Sequence, residues 1–136
     1  MQYYGAGVQA CYRGPRLYDT DATKQTVVNV INWYKKYRDI LNSDIIHLRR
    51  ADGRDWDGIL HVNPQLKTKG LLMLYNPLKE KITRIIKVPL YYTGATTIVS
   101  VSEQGGKKIE KKLDRKYEIE LAVTIEPESY TWFVID

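Results

Sequence analysis

Apolar and polar positions alternate along much of the chain beyond residue 43, which predicts a succession of β-strands. Residues 71–75 form an unbroken apolar run of strand length, as expected for a strand that is buried on both faces. Residues 82–88 alternate, and Asn76-Pro77 separates the two segments because proline lacks an amide donor and suits a turn. We therefore expect these two strands to pair as the central hairpin of a β-sandwich.

Six more segments carry a strand pattern, with turn signals between them. Residues 107–113 alternate Ile109 with charges, as expected for an edge strand protected by lysine. In residues 117–125 the side chains predicted to point inward are Tyr117, Ile119, Leu121, Val123 and Ile125. The other predicted strands are 45–48, 56–62, 96–103 and 130–135. The predicted fold class is mainly β: an antiparallel β-sandwich of about eight strands, preceded by one amphipathic α-helix.

Apolar positions recur every three or four residues between positions 21 and 42, which predicts that helix. Thr20 or Asp21 is expected to cap its start. Trp33 widens the apolar stripe, whose members are Val27, Val30, Ile31, Tyr34, Tyr37 and Leu41. So wide a stripe must pack on the sheet or on a further domain. We predict two parts, a loop lead plus single helix over residues 1–42 and a β-sandwich over residues 43–136.

Composition and charge exclude several classes of protein. A chain of 136 residues is long enough for one domain with a real core. The net charge is +5, but acidic residues interleave with the lysines of residues 107–116, so we expect no nucleic-acid partner. No apolar run approaches the length of a membrane span, and residues 1–12 lack a signal-peptide pattern. The single cysteine, Cys11, rules out a disulfide within the chain and leaves the compartment open.

Four residues of the lead segment are candidate ligand-binding residues. Tyr12, Arg13, Arg16 and Tyr18 place two guanidinium groups and two phenols around a Gly-Pro turn. Such groups suit sugar hydroxyls or a carboxylate. The alternative is a loop that packs its aromatic rings against the sheet or against a further domain.

The predicted hairpin of strands 45–48 and 56–62 has an acidic tip that contains Asp52, Asp55 and Asp57. This acidic tip suggests two further hypotheses about function, and the sequence supports neither. A calcium loop through Asp52, Asp55 and Asp57 would need an oxygen ligand where Gly53 stands and a later glutamate. The arginines at 49, 50 and 54 suit these aspartates better as partners. An acid–base pair of Asp55 and Asp57 would need a walled pocket that a hairpin tip lacks.

We also expect no metal, no cofactor and no catalytic residue in this chain. His47 and His61 are predicted to be near one another on paired strands, but they lack a third ligand. The glycines at 5 and 7 fit a dinucleotide-binding pattern without the strand that must precede it.

Seven motifs occur in a fixed order. They are Cys-Tyr-Arg-Gly-Pro-Arg-Leu-Tyr-Asp, Trp-Tyr-Lys-Lys-Tyr-Arg, Asp-Gly-Arg-Asp, His-Val-Asn-Pro-Gln, Tyr-Asn-Pro, Pro-Leu-Tyr-Tyr-Thr-Gly and Tyr-Thr-Trp-Phe-Val-Ile. As a set they resemble the C-terminal part of bacterial α-galactosidase-like (β/α)8-barrel glycoside hydrolases. The resemblance implies a loop after the last barrel strand, the last barrel helix, and the β-sandwich beside the barrel. Catalytic carboxylates of such enzymes lie on barrel strands, so none is carried onto this chain.

By this resemblance the chain is a non-catalytic accessory domain that supports carbohydrate degradation. Its partner would be a catalytic (β/α)8 barrel in a longer parent, or a second copy covering the helix face, with a carbohydrate as a further partner. The alternative is a free-standing carbohydrate- or protein-binding β-sandwich module. Sugar stacking would then need exposed tryptophans, but Trp33, Trp56 and Trp132 all fall in apolar patterns that favour core packing. An accessory domain should expose an apolar patch along the helix and the lead, whereas a binding module should show a cleft with convergent polar groups.

Overall fold

A computed structural model describes residues 1–8 and 14–136 of the chain. Two α-helices come first, a short α1 (Gln2–Gly5) and a long α2 (Asp21–Leu41). Within the described residues eight strands follow, with a 3-10 helix at Tyr91–Thr93. In chain order they are β1 (Asp44–Arg49), β2 (Asp57–Val62), β3 (Gly70–Asn76), β4 (Ile82–Pro89), β5 (Ile98–Glu103), β6 (Lys108–Lys112), β7 (Glu118–Ile125) and β8 (Ser129–Ile135).

The strands form two antiparallel sheets with a shared apolar core. The larger sheet has the order β1-β2-β3-β8-β5-β6, and the smaller contains β4 and β7. Side chains of both sheets meet in the core, among them Leu60, Leu72, Leu74, Ile86 and Leu121. The predicted mainly β fold, with about eight antiparallel strands after one long amphipathic helix, is therefore confirmed.

The predicted central hairpin is wrong in its pairing. β3 pairs with β2 and β8, whereas β4 pairs with β7 in the other sheet. The turn after Asn76 therefore carries the chain across the sandwich instead of back along the same sheet. The reason is that β3 is buried on both faces and fits the centre of the larger sheet, under a helix layer. β4 keeps Thr83, Ile85 and Lys87 exposed and faces the core on one side only.

A second apolar cluster lies on the outer face of the larger sheet, beneath the C-terminal half of α2. Its buried members come from α2, β3 and β8, and they are Tyr37, Ile40, Leu41, Leu71, Met73, Tyr75 and Val134. The rings of Trp33 and Tyr37 pack against Trp132 with centroid distances of 5.6 and 5.1 Å. This half of α2 is therefore fixed to the sheet.

The N-terminal half of α2 has no such support. The helix is capped as predicted by Thr20, whose hydroxyl accepts a hydrogen bond from the Thr23 amide at 3.1 Å. The aliphatic side chains that follow are only half-buried and belong to neither buried cluster; they are Val27, Val28, Val30 and Ile31. The predicted apolar stripe is thus buried at its C-terminal end and only half-buried at its N-terminal end.

The predictions for the remaining strands hold with one exception. β6 is an edge strand of the larger sheet, and β7 buries its alternate residues from Ile119 to Ile125. Tyr117 was predicted to point inward and is instead 39% exposed, with a left-handed φ of +60°. The Asp114 carboxylate accepts hydrogen bonds from the Lys116 and Glu118 amides, and this turn rotates Tyr117 outward. In the described part of the chain, neither helix combines the length and hydropathy needed to cross a membrane.

Candidate functional site

Of the four ligand-binding residues predicted in the lead, only Arg16 and Tyr18 belong to the described residues. Tyr12 and Arg13 lie outside the described residues. Arg16 is exposed, and Tyr18 is half-buried in an open depression at the start of α2, beside Asp21 and Lys24. The assignment of these residues to sugar binding remains a prediction.

A larger cleft, of about 810 Å³, lies between α1 and the outer face of the larger sheet. Its floor is a row of side chains on three adjacent strands: Asp57 of β2 is in register with Tyr75 of β3, which is in register with Tyr130 of β8. Tyr3 of α1 and Glu128 of the turn before β8 also line it. Among the described residues no lysine or arginine lines this cleft. We call it the α1 cleft.

Two polar groups of the α1 cleft lack partners within the described residues. The Tyr75 hydroxyl is buried without a hydrogen bond, and burial raises its pKa far above the ordinary value. Burial also raises the pKa of Asp57, although the nearby positive charge of Arg49 opposes the shift. Buried polar groups are almost always hydrogen-bonded in folded proteins. Asp57 is only half-buried, so water or a bound molecule in the cleft can hydrogen-bond to its carboxylate, whereas the Tyr75 hydroxyl is enclosed beneath Gly5.

His61 holds α1 over this cleft. Its Nε2 donates a hydrogen bond to the Gly5 carbonyl at 2.7 Å, so the ring carries its proton on Nε2. The imidazole is fully buried, and its desolvation lowers its pKa. Gly5 is required at this contact because a Cβ atom there would overlap the Tyr75 hydroxyl. The sequence placed His61 on a strand but gave no signal that its partner would be the N-terminal segment.

The two histidines lie on paired strands as predicted. His61 is in register with Ile45, two residues from His47 on the same strand. His47 is exposed, whereas His61 is bound to α1. In the part of the chain that the structure describes, no group of three or more potential metal ligands occurs.

Arginines neutralise the acidic tip, in part as predicted. Arg49 forms an ion pair with Asp52 at 3.0 Å. Asp55 pairs at 3.1 Å with Arg84 of the smaller sheet, not with the predicted Arg50 or Arg54. Hydrogen bonds from the Arg54 amide and the Arg49 side chain lower the pKa of Asp52. Desolvation acts to raise the pKa of Asp55, but the Trp56 amide and Arg84 outweigh it and lower the pKa.

The three tryptophans pack against buried clusters and do not form an exposed platform. Trp33 and Trp132 lie in the cluster beneath α2, and Trp56 packs against the core of the sandwich. All three are half-buried. Their predicted use in packing is confirmed.

Comparison with known proteins reveals similarity in fold. No family model and no curated protein matches the chain. The structure of AmyP in complex with maltose is similar over 83% of this chain and 20% of its own, with a TM-score of 0.51 and 9% identity. A GH27 β-L-arabinopyranosidase from Geobacillus stearothermophilus is similar over 68% of this chain and 19% of its own, with a TM-score of 0.48 and 10% identity. An α-amylase from H. orenii is similar over 98% of this chain and 27% of its own, with a TM-score of 0.43 and 15% identity. The chain thus spans only about a fifth to a quarter of the length of these structures.

Proposed function

We propose that this chain is the non-catalytic accessory β-sandwich of a glycoside hydrolase and packs against the catalytic (β/α)8 barrel of a longer parent. The docking face is the N-terminal half of α2, residues 21–32, which lies outside the cluster on the sheet. This half carries the proposal because its aliphatic side chains remain partly exposed and belong to neither buried cluster of the described residues.

The helix is longer than the surface that supports it. Its 21 residues correspond to about 30 Å, and only the part from Trp33 onward belongs to the cluster on the sheet. The preceding segment, residues 26–32, reads Thr-Val-Val-Asn-Val-Ile-Asn. β-Branched residues and asparagine are poor helix formers, and short helices in water depend on tertiary packing. A stable helix with this sequence therefore needs an apolar partner.

Other parts of the lead add to the apolar surface. Val8 is 51% exposed and Leu17 is 72% exposed. Exposed aliphatic side chains that occur singly need no explanation, but Leu17 lies only three residues before the Thr20 cap of α2. An accessory domain separated from its barrel is expected to have such a surface.

The acidic groups support a non-catalytic role. Glycosidases use two carboxyl groups with opposed pKa values across the scissile bond. Asp52 and Asp55 have lowered pKa values in arginine ion pairs, which is the wrong direction for a general acid. Asp57 has a raised pKa, but it lies in an open cleft and Asp55 is held by the other sheet.

The carbohydrate context comes from two sources. The sequence motifs resemble glycoside hydrolases in their order. The AmyP structure, which shares the fold over a fifth of its length, contains maltose. Both agree with a sandwich that works as part of a larger carbohydrate-processing chain.

The test uses the longest protein encoded in frame with this sequence. Ile31→Asp and Val30→Asp place a carboxylate on the docking face, and Asn29→Asp places one on the exposed face as a control. We expect the first two variants to lower the thermal stability and glycosidase activity of the parent, and Asn29→Asp to change neither. The absence of any further encoded domain, or equal behaviour of all three variants, would contradict the proposal. A chain that dimerises until Ile31→Asp is introduced would show that a second copy covers the face instead.

A further inference from the structure

The side chains that line the α1 cleft restrict the class of ligand that can bind there. Its acidic lining groups are Asp57 and Glu128, which when ionised only accept hydrogen bonds, and Met1, whose amino group has a pKa lowered by burial, lines it as well. No lysine or arginine of the described residues is present to bind an anion. A ligand that donates hydrogen bonds to these carboxylates fits the cleft best. A polyhydroxylated molecule and an organic cation both meet this condition.

The electrostatics favour a neutral donor. The net charge of the chain is +5, and the Arg49 guanidinium already acts on the Asp57 carboxylate. Arg49 and the Met1 amino group would oppose the entry of a cation into the cleft, whereas neither would repel a neutral hydroxyl. Hydroxyl groups both donate and accept, so they can donate to the carboxylates and accept from a donor on the cleft wall.

The aromatic groups add a stacking surface. Tyr130 is 38% exposed on the floor, and Tyr3 is 67% exposed where α1 borders the cleft. A tyrosine ring offers an apolar face and a polar tip, which suits the C–H face and the hydroxyl rim of a pyranose. Carboxylate acceptors beside such rings can fix the orientation of a sugar.

We propose that the α1 cleft is a binding site for a neutral saccharide, with Asp57 and Glu128 accepting hydrogen bonds from its hydroxyls and Tyr130 stacking on its ring. This site is separate from the docking face of α2 and does not rest on it. An accessory domain of this kind would hold carbohydrate beside a catalytic domain as well as pack against it.

A second group of exposed tyrosines provides an internal control. Tyr91 packs edge-on against Tyr92 and Tyr117, with ring centroids 5.2 and 5.6 Å apart and interplanar angles of 89° and 77°. Perpendicular rings do not form one flat platform, and none of the three lines the α1 cleft. Loss of Tyr92 should therefore leave sugar binding unchanged.

The experiment is saturation-transfer and amide-shift NMR on the intact chain with D-galactose, L-arabinose, D-glucose and maltose, each added alone. We expect at least one to bind and to shift amides of β2, β3 and β8 around the cleft. Tyr130→Ala and the near-isosteric Asp57→Asn should each weaken that binding roughly tenfold, because each removes a direct contact with the sugar, and tenfold corresponds to about 1.4 kcal/mol. Tyr92→Ala should bind like the unmodified chain.

Three results would overturn the inference. The first is that none of the four sugars binds. The second is that binding survives both cleft variants or disappears with Tyr92→Ala. The third is that tetramethylammonium shifts the cleft amides more strongly than any sugar, which would identify a cation site. None of these results depends on whether a barrel packs on α2, so the two proposals can fail separately.

Discussion

Asn76 joins the two sheets through one side chain, and its removal is the sharpest test of the sandwich. It is 2% exposed at the end of β3. Its amide nitrogen lies within hydrogen-bond distance of the carbonyls of Glu80, Ile125 and Glu126, at 2.8, 3.2 and 2.9 Å. Its oxygen accepts from the Leu78 amide at 3.0 Å. The larger sheet, the crossing turn and the end of β7 thus meet at one residue.

Asn76→Ala removes all four contacts and leaves several backbone groups without a partner. Each hydrogen bond is worth about 1 kcal/mol net, and an unsatisfied buried group costs more, so we expect a loss of about 3–5 kcal/mol. The assay is urea unfolding followed by circular dichroism. For a domain of this size the loss corresponds to a fall in Tm of roughly 10 °C or more.

The chain offers a matched control in its other Asn-Pro turn. The Asn63 side chain makes two hydrogen bonds, to the Ser43 hydroxyl and from the Gln65 amide, and it is half-buried. Asn63→Ala should cost about half as much or less. Asn76→Asp should be at least as harmful as Asn76→Ala, because its carboxylate would face three carbonyl oxygens. Equal losses for Asn76→Ala and Asn63→Ala would refute the reasoning.

Three further predictions concern the layer on the outer face of the larger sheet. Burial lowers the pKa of His61 in the folded state, so at acidic pH the unfolded chain binds one proton that the folded chain does not. The free energy of unfolding, measured with urea, should therefore be highest above about pH 6.5 and should decline as the pH falls below that value. His61→Gln should remove that dependence, and His47→Gln should not. Trp132→Ala should lower the free energy of unfolding by about 2–4 kcal/mol in the same assay, less than most aromatic truncations because Trp132 is only half-buried. An unchanged unfolding midpoint would exclude a role of Trp132 in holding α2 on the sheet. Gly5→Ala should cost about 1–3 kcal/mol by calorimetry, since the new methyl group overlaps the Tyr75 hydroxyl; an unchanged Tm would show that α1 is not packed on the sheet.

Most elements of the fold could be predicted from the local pattern of apolar and polar residues. The alternation in β7, the lysine-protected edge at β6 and the capped helix α2 could all be predicted, because each depends on residues close together in sequence. Thr20 caps α2, and the arginines beside the acidic tip suggested an ion pair that Arg49 forms with Asp52. Local periodicity determines which faces are buried without specifying what buries them.

Strand partners and the α1 cleft could not be predicted in the same way. Tyr75 pairs with Tyr130, and Asn76 reaches Ile125, across about 50 residues of chain. Hydrophobic pattern alone fits β4 equally well beside β3 or opposite it, so the hairpin prediction chose the shorter connection. The row of Asp57, Tyr75 and Tyr130 exists only once β2, β3 and β8 are in register. The buried contact between His61 and Gly5 likewise depends on where the lead folds back.

The docking face of α2 is tested most directly by amide hydrogen exchange on the chain alone. If residues 26–32 need an absent partner, their amides should exchange much faster than those of residues 33–41, which pack on the sheet. In the longest in-frame protein the two halves should be protected alike. Equal, strong protection of both halves in the chain alone would contradict the account, because the helix would then be stable without any partner.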